Sequence, residues 1–184
     1  LASAINDLNA IGTVTAPVEI YAGGDETAPA GGYVITATGT AANTILIEGG
    51  GYILTAGLQA AGSTNDAVIK IVGGDYITLQ NFIINENASN IVTAVATNTM
   101  TEFGIALYGA STVNGAKNNL IQGHNITLSA AYTQSFGIMS SSTFNSATTA
   151  GGAAPTAQTA TTGGENSDNV YLANTIGSAA FGIW

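Results

Sequence analysis

The chain has 184 residues, of which 46% are hydrophobic and only 7% are charged, whereas a typical soluble domain carries about 25% charged residues. Eleven acidic residues and two lysines give a net charge of −9. This balance excludes nucleic-acid binding and attraction to anionic lipid, because both need many cationic contacts. Cysteine is absent, which excludes disulfides and thiolate metal sites. No run of about 18 apolar residues predicts a transmembrane helix.

Residues 1–12 predict a short helix that forms an N-terminal cap. Leu1, Ile5, Leu8 and Ile11 recur at helical spacing along one stripe, and Gly12 suits the C-terminal end. A repeat-built protein has an open apolar end that needs cover, and an amphipathic helix provides it. We therefore separate this segment from the remainder, residues 13–184.

Residues 16–60 predict short and irregular strands. Val18 and Ile20 alternate with Glu19, as expected for a half-buried strand. Further strand-like runs lie at 33–36, 44–47 and 52–54. The glycines at 49–51 indicate a turn and not a phosphate loop, because no Gly-Lys-Ser/Thr follows them.

An internal repeat begins at Ala67–Asn85, which holds three short apolar runs separated by tight turns. Aligning this unit with 103–127 and 136–176 places similar residues in columns. The columns are Leu79/Ile121/Tyr171, Phe82/His124/Asn174, Ile84/Ile126/Ile176 and Ile69/Ile105/Ile138/Ile183. Such columns predict parallel strands stacked on one another, each unit burying its apolar face against the next. Surface insertions are expected near 86–102 and 140–167.

The repeat resembles right-handed parallel β-helix proteins of the pectate-lyase-like fold superfamily. More narrowly, Leu1–Gly12, Asn43–Gly51 and Asn118–Ile126 resemble segments of large secreted surface proteins of Bacteroidetes-type bacteria. The predicted fold class is all-β, a right-handed parallel β-helix (solenoid) of about four to five coils with a short N-terminal capping helix. The resemblance implies an extracellular, cell-surface shaft or adhesin module, and it implies no catalytic residue.

The ends of the sequence favour a segment of a longer protein. The chain begins with Leu1 instead of Met, and residues 181–184 resemble the opening strand of another coil. We therefore expect end-to-end stacking with further coils of the same chain or with a second copy, as in a filament.

Catalytic candidates are few. The two lysines, Lys70 and Lys117, are interpreted as isolated, and the alignment stacks Lys117 over Asp75 as a surface ion pair, with a catalytic lysine as the alternative. His124, the only histidine, is interpreted as a packed or hydrogen-bonded turn residue; a metal ligand or general base is the alternative. No catalytic, cofactor-binding or metal-binding residue is assigned.

Two kinds of binding residue are considered. Asp25 and Glu26, or Glu165 and Asp168, could supply oxygen ligands to calcium, but no dense array of aspartates accompanies them. Solvated loops are the simpler interpretation, so no cofactor is expected. Three aromatic residues could stack on sugar rings or simply pack in the core: Tyr108, Tyr132 and Phe144.

The expected function is a non-catalytic structural or adhesive module of a bacterial surface protein or filament. Two alternatives stay open: a polysaccharide lyase or glycoside hydrolase, and a carbohydrate-binding module that uses the insertions to hold surface glycans. Whether the protein is an enzyme is thus left open, with the non-catalytic interpretation preferred.

Overall fold

The computed structural model describes residues 1–141 and 162–184, which form three parallel sheets preceded by one short helix. Helix α1 spans Ala2–Ile11 and ends at Gly12, whose φ of 74° suits a residue without a side chain. Ile5 and Leu8 are buried in the main core, as predicted. Ile11 is 58% exposed, so its predicted place on the buried stripe is wrong.

Each sheet takes every third strand of the chain, so three consecutive strands form one layer and the described residues form five layers. The first sheet contains β1 (Val18–Tyr21), β4 (Ile45–Glu48), β7 (Ile77–Gln80), β10 (Leu120–Gln122) and β13 (Val170–Leu172). The second contains β2 (Glu26–Thr27), β5 (Ile53–Thr55), β8 (Ile83–Asn85), β11 (Asn125–Thr127) and β14 (Thr175–Ser178). The third contains β3 (Tyr33–Ile35), β6 (Ala67–Val72), β9 (Phe103–Tyr108), β12 (Phe136–Ser141) and β15 (Phe181–Ile183).

The register of the strands confirms the predicted columns. The columns made of paired strand residues are Leu79/Ile121/Tyr171, Ile84/Ile126/Ile176 and Ile69/Ile105/Ile138/Ile183. Asn125 pairs with both Ile83 and Thr175, so the preceding residues Phe82, His124 and Asn174 also align. Side chains alternate across a strand, and the apolar columns point into one shared core.

Residues 16–60 are more regular than their sequence predicts. Val18 pairs with Ile45, which pairs with Ile77, and Ile20, Ile47 and Leu79 follow in the same way. The first two layers therefore use the same register as the later ones, although three of their strands have only two or three residues.

The glycines of the first two Phe-Gly-Ile triplets make room for isoleucines of the second sheet. A Cβ on Gly104 would lie 2.7 Å from Cγ2 of Ile126, and one on Gly137 would lie 2.7 Å from Cδ1 of Ile176. A side chain there would displace the core residue of the neighbouring sheet. This explains why glycine stands between Phe and Ile in these two layers.

The two predicted insertions differ in how far they can be compared with the structure. Residues 86–102 contain one 3-10 turn at Val95–Thr97, yet Asn90, Asn98, Thr101 and Glu102 are buried, so this insertion is partly packed and not confined to the surface. Most of the 140–167 insertion lies outside the described residues. Its beginning belongs to β12.

Candidate functional site

Along β9 and β12, the outer face of the third sheet is largely buried. Ile69 and Ile71 point into the main core, so Lys70 between them points outward. Six buried residues of β6, β9 and β12 form a second apolar cluster separate from the main core: Ala67, Phe103, Ala106, Tyr108, Phe136 and Met139. This second cluster is where the chain places its buried charged groups.

Glu102 lies at the centre of this buried polar region, immediately before β9. Its side chain is fully buried. Glu102 Oε2 accepts a hydrogen bond of 3.0 Å from the Asp66 main-chain N–H, and Oε1 lies 2.6 Å from the Tyr132 hydroxyl. The Tyr132 hydroxyl also lies 3.3 Å from Oε1 of Gln134. Three successive stretches of chain therefore meet at one carboxyl group.

Burial dominates the electrostatics of the cluster. It raises the pKa of Glu102 to about 8, and it raises the pKa of Asp66, because a charge loses its hydration there. It lowers the pKa of Lys70, although the charges of Asp66 and Glu102 act in the opposite direction. The prediction that Lys70 is isolated is therefore wrong.

Lys70 also lines an open groove on the same outer face. The groove has a volume of about 440 Å³, and its walls come from Ala30–Gly32, Val34, Thr36, Lys70 and Val72. Val34 is 38% exposed there, whereas the later outward residue of the same column, Ala106, is fully buried. The groove is thus the open continuation of the covered apolar face.

Lys117 and Asp75 are brought together as predicted, but through the main chain. The Lys117 N–H donates a 2.7 Å hydrogen bond to Asp75 Oδ1. Burial raises the pKa of Asp75, and the Lys117 amide and charge oppose that shift. The carboxylate therefore fixes a turn between two layers, and the predicted surface ion pair is not how the two residues make contact.

His124 is a packed, hydrogen-bonded turn residue. Its Nδ1 accepts from the Phe82 N–H at 3.2 Å, and its Nε2–H donates to the Leu79 carbonyl at 3.0 Å. The ring stacks on Phe82, with the centroids 6.1 Å apart. Burial lowers the pKa of His124 to about 4, so the ring is neutral near pH 7. Both nitrogens are occupied by main-chain groups.

His124 makes the same kind of contact with the preceding layer that Asn174 makes one layer later. One layer later, Asn174 Oδ1 accepts from the His124 N–H and its Nδ2 donates to the Ile121 carbonyl. Asn169 and Asn119 repeat the same pattern at the neighbouring turn. The column is a ladder of side-chain to main-chain bonds between layers.

Three of the four candidate calcium residues accept hydrogen bonds from other parts of the protein. Asp25 Oδ1 accepts from the Ile53 N–H, and Glu26 Oε2 accepts from the Tyr33 hydroxyl. Glu165 Oε2 accepts from the Gly163 N–H. Within residues 1–141 and 162–184, no group of three or more histidines, cysteines or acids could hold a metal ion. Calcium binding stays a hypothesis that the sequence raised and the structure does not test.

Of the three aromatic candidates, Tyr108 and Tyr132 are fully buried, so they pack in the protein and cannot stack on a sugar. Phe144 lies outside the described residues.

The sequence analysis missed Asp66 and Glu102. A signal was present: each residue stands directly before a strand of the third sheet, and Phe103 pairs with Ala67. Asp66, Glu102 and Ser135 therefore form a polar column ahead of the apolar one. Tyr132 could not have been placed there, because it lies on a turn outside the repeat.

No protein-family model, no curated protein and no solved structure matches this chain. No helix in the described part of the chain is long and apolar enough to cross a bilayer. The fold and site define an all-β protein of three parallel sheets with one short N-terminal helix. Because no comparison gives a match, its function is inferred from its own residues alone.

Proposed function

We propose that residues 13–184 form a right-handed parallel β-helix, and that it serves as a non-catalytic structural or adhesive module of an extracellular bacterial surface protein. The observation that carries the proposal is the shared register of all three sheets over five layers. Strands stacked about 4.8 Å apart would give a rod of about 20–25 Å. Right-handedness follows from the strong preference of parallel crossover connections, about 98% of which are right-handed.

The exterior of the second sheet supports an adhesive role. One column of its outward positions carries neutral hydroxyl and amide groups: Thr27, Thr55, Asn85, Thr127 and Ser178. Side chains of this kind offer hydrogen-bond donors and acceptors without charge. They suit contact with neutral polar surfaces such as glycans.

The edge formed by β13, β14 and β15 supports end-to-end stacking. Ile183 is 53% exposed, while its column partners Ile138 and Ile105 are fully buried. An exposed strand edge with apolar columns is a template for pairing with further strands. We propose that another coil covers this edge, either from the same polypeptide or from a second copy.

Analytical ultracentrifugation of the 184-residue chain over a range of concentrations tests the stacking. We expect concentration-dependent association that Ile183→Lys abolishes and that Thr127→Lys, on the side of the stack, leaves unchanged. A discrete monomer at every concentration would argue against stacking. Protease treatment of intact cells that express the parent reading frame tests the location, and a protected protein would contradict a surface role.

A second candidate function, carbohydrate binding, is favoured by the groove beside Lys70. Gly31 and Gly32 have no side chains to fill the groove, and Thr36 and Lys70 line it with polar side chains. Lys70 is the charged residue among those that line the groove, although it is only 7% exposed. A glycan array compared between Lys70→Met and Lys117→Met tests this function, since only the first lysine lines the groove. Binding that both variants retain would exclude the groove.

A polysaccharide-degrading activity is the third proposal, and the structure gives it less support. Glu102 is fully buried and Asp66 is 8% exposed, so a polymer does not reach this pair of carboxyl groups. A screen on polyuronates with and without calcium tests the alternative. Product release that Asp75→Ala abolishes would overturn the non-catalytic proposal.

A further inference from the structure

Hydrogen bonds between layers run in one direction at the turn before the later strands of the first sheet. Asn119 Oδ1 accepts from the Ile77 N–H, and Asn169 Oδ1 accepts from the Asn119 N–H, both at 2.9 Å. The amide of each asparagine also donates to a carbonyl of the earlier layer, that of Gly74 or Ala116. The side chain of a later layer thus binds the main chain of the layer before it.

The turn before the later strands of the second sheet has the same direction. His124 accepts from the Phe82 N–H at 3.2 Å, and Asn174 accepts from the His124 N–H at 3.1 Å. The two turn positions are five residues apart, at 119 and 124 in one layer and at 169 and 174 in the next. Each of these layers therefore relies on the following layer to accept from two of its main-chain N–H groups.

The last described layer lacks these two acceptors. Within residues 1–141 and 162–184, neither the Asn169 N–H nor the Asn174 N–H donates a hydrogen bond. Both residues are half-buried, and a poorly hydrated N–H without an acceptor is costly. Ile183, on the neighbouring strand of the same layer, is 53% exposed. The edge is therefore incomplete in its polar groups as well as in its apolar columns.

We propose that this edge binds one further parallel coil, which carries asparagine or histidine side chains five residues apart at the two equivalent turn positions. The inference rests on the proposed stacking of layers and adds the chemistry of the partner. The partner side chains accept from the Asn169 and Asn174 N–H groups. An apolar residue two positions after the first of them continues the column of Ile121 and Tyr171.

The composition of the edge indicates a neutral partner. Residues 169–184 carry no charged side chain, although the whole chain has a net charge of −9. A charged side chain that packed on this edge would lose hydration without gaining an opposite charge. Asparagine also suits the turn positions better than aspartate, because its amide donates to a carbonyl as that of Asn169 does.

A second copy of the chain does not offer these groups at either of its described ends. At the same edge, the side chains of Asn169 and Asn174 already bind the preceding layer. At the opposite end, residues of helix α1 pack on the core, and its Asn9 binds main-chain groups of Val34 and Thr36. Self-association therefore uses the apolar columns alone, whereas a coil with amide side chains also satisfies the two N–H groups.

An extended chain tests the proposal. Trp184 corresponds to Ala106 in the alignment of the third sheet, so residues 107–115 placed after it supply the end of a strand and the following turn. A repeat of residues 166–184 then forms the added coil. We expect hydrogen exchange at the two original turn amides, those of positions 169 and 174, to slow about tenfold relative to the unextended chain.

Two variants of the added coil separate the amide contacts from apolar stacking. Asn169→Ala with Asn174→Ala in the added coil should remove the slowing at the two original amides. Ser167→Ala with Ser178→Ala in the added coil is the matched control and should keep it. Equal slowing in both variants would overturn the requirement for amide side chains. If no extended chain slows these amides while the unextended chain still associates in the ultracentrifuge, the edge takes a second copy; this inference is then wrong and the proposed stacking stands.

Discussion

Two columns of turn residues hold the layers together in different ways. In the column of Phe82, His124 and Asn174, each polar side chain bonds the main chain of the layer before it. In the column of Asp66 and Glu102, the Glu102 carboxyl group also accepts from the Asp66 main-chain N–H, but its second oxygen meets a side chain from a turn outside the repeat, Tyr132. In a repeated chain, the recurring polar side chains are enough to hydrogen-bond the main-chain groups of neighbouring layers. A charged group buried on the outer face of a sheet also needs a partner from an insertion.

The largest effect is expected where the second column is broken. Glu102→Ala leaves the Asp66 N–H and the Tyr132 hydroxyl without this partner and creates a cavity, so we expect a loss of about 3–4 kcal/mol in unfolding free energy. Glu102→Gln retains both contacts and should cost less than about 1 kcal/mol near neutral pH. Denaturant unfolding measures both variants, and equal losses would show that an amide of the same shape does not replace the carboxyl group at this position.

Breaking the first column should cost somewhat less. His124→Ala leaves the buried Phe82 N–H and Leu79 carbonyl without their partners, with an expected loss of about 2–3 kcal/mol. His124→Asn places in the layer the side chain that Asn174 already uses, and it should recover at least half of that loss. If both substitutions destabilise equally, the ladder interpretation of His124 is wrong.

The two columns should also respond to pH in opposite directions. The pKa of His124 is lowered to about 4 from an ordinary value of 6.5. Its contribution to stability is therefore present above pH 6.5 and is lost as the pH falls toward 4, by about 2 kcal/mol at pH 4.5. Unfolding measured from pH 4 to 7 in the wild type and His124→Asn checks this window. A decline of the same size in both proteins would contradict it.

The smallest effect is expected at Lys117. Its main-chain N–H makes the contact with Asp75, so Lys117→Met should change the unfolding free energy by less than about 0.5 kcal/mol. Asp75→Ala removes the acceptor of that N–H and should cost about 1 kcal/mol. Denaturant unfolding of the two variants separates these contributions. A larger loss in Lys117→Met would support the ion pair that the sequence predicted.

The same contrast explains what the sequence could predict. Columns such as Ile84/Ile126/Ile176 were predictable because stacking partners occupy equivalent positions in successive repeats. The turn role of His124 was predictable because it aligns with Phe82. The first two layers looked irregular because their strands are short and their loops differ in length. Glu102 was assigned to a surface insertion, since its burial also depends on Tyr132, which no periodicity connects to it.

Disulfide trapping tests the stacking of layers most directly, because the natural chain has no cysteine. Thr55 and Asn85 are paired neighbours on β5 and β8, and Thr127 lies one layer further. Cysteines at 55 and 85 should form an intramolecular disulfide under mild oxidation, whereas cysteines at 55 and 127 should not, since a disulfide spans Cα atoms only about 4.4–6.8 Å apart. A crosslink between 55 and 127, with none between 55 and 85, would contradict the stacked arrangement.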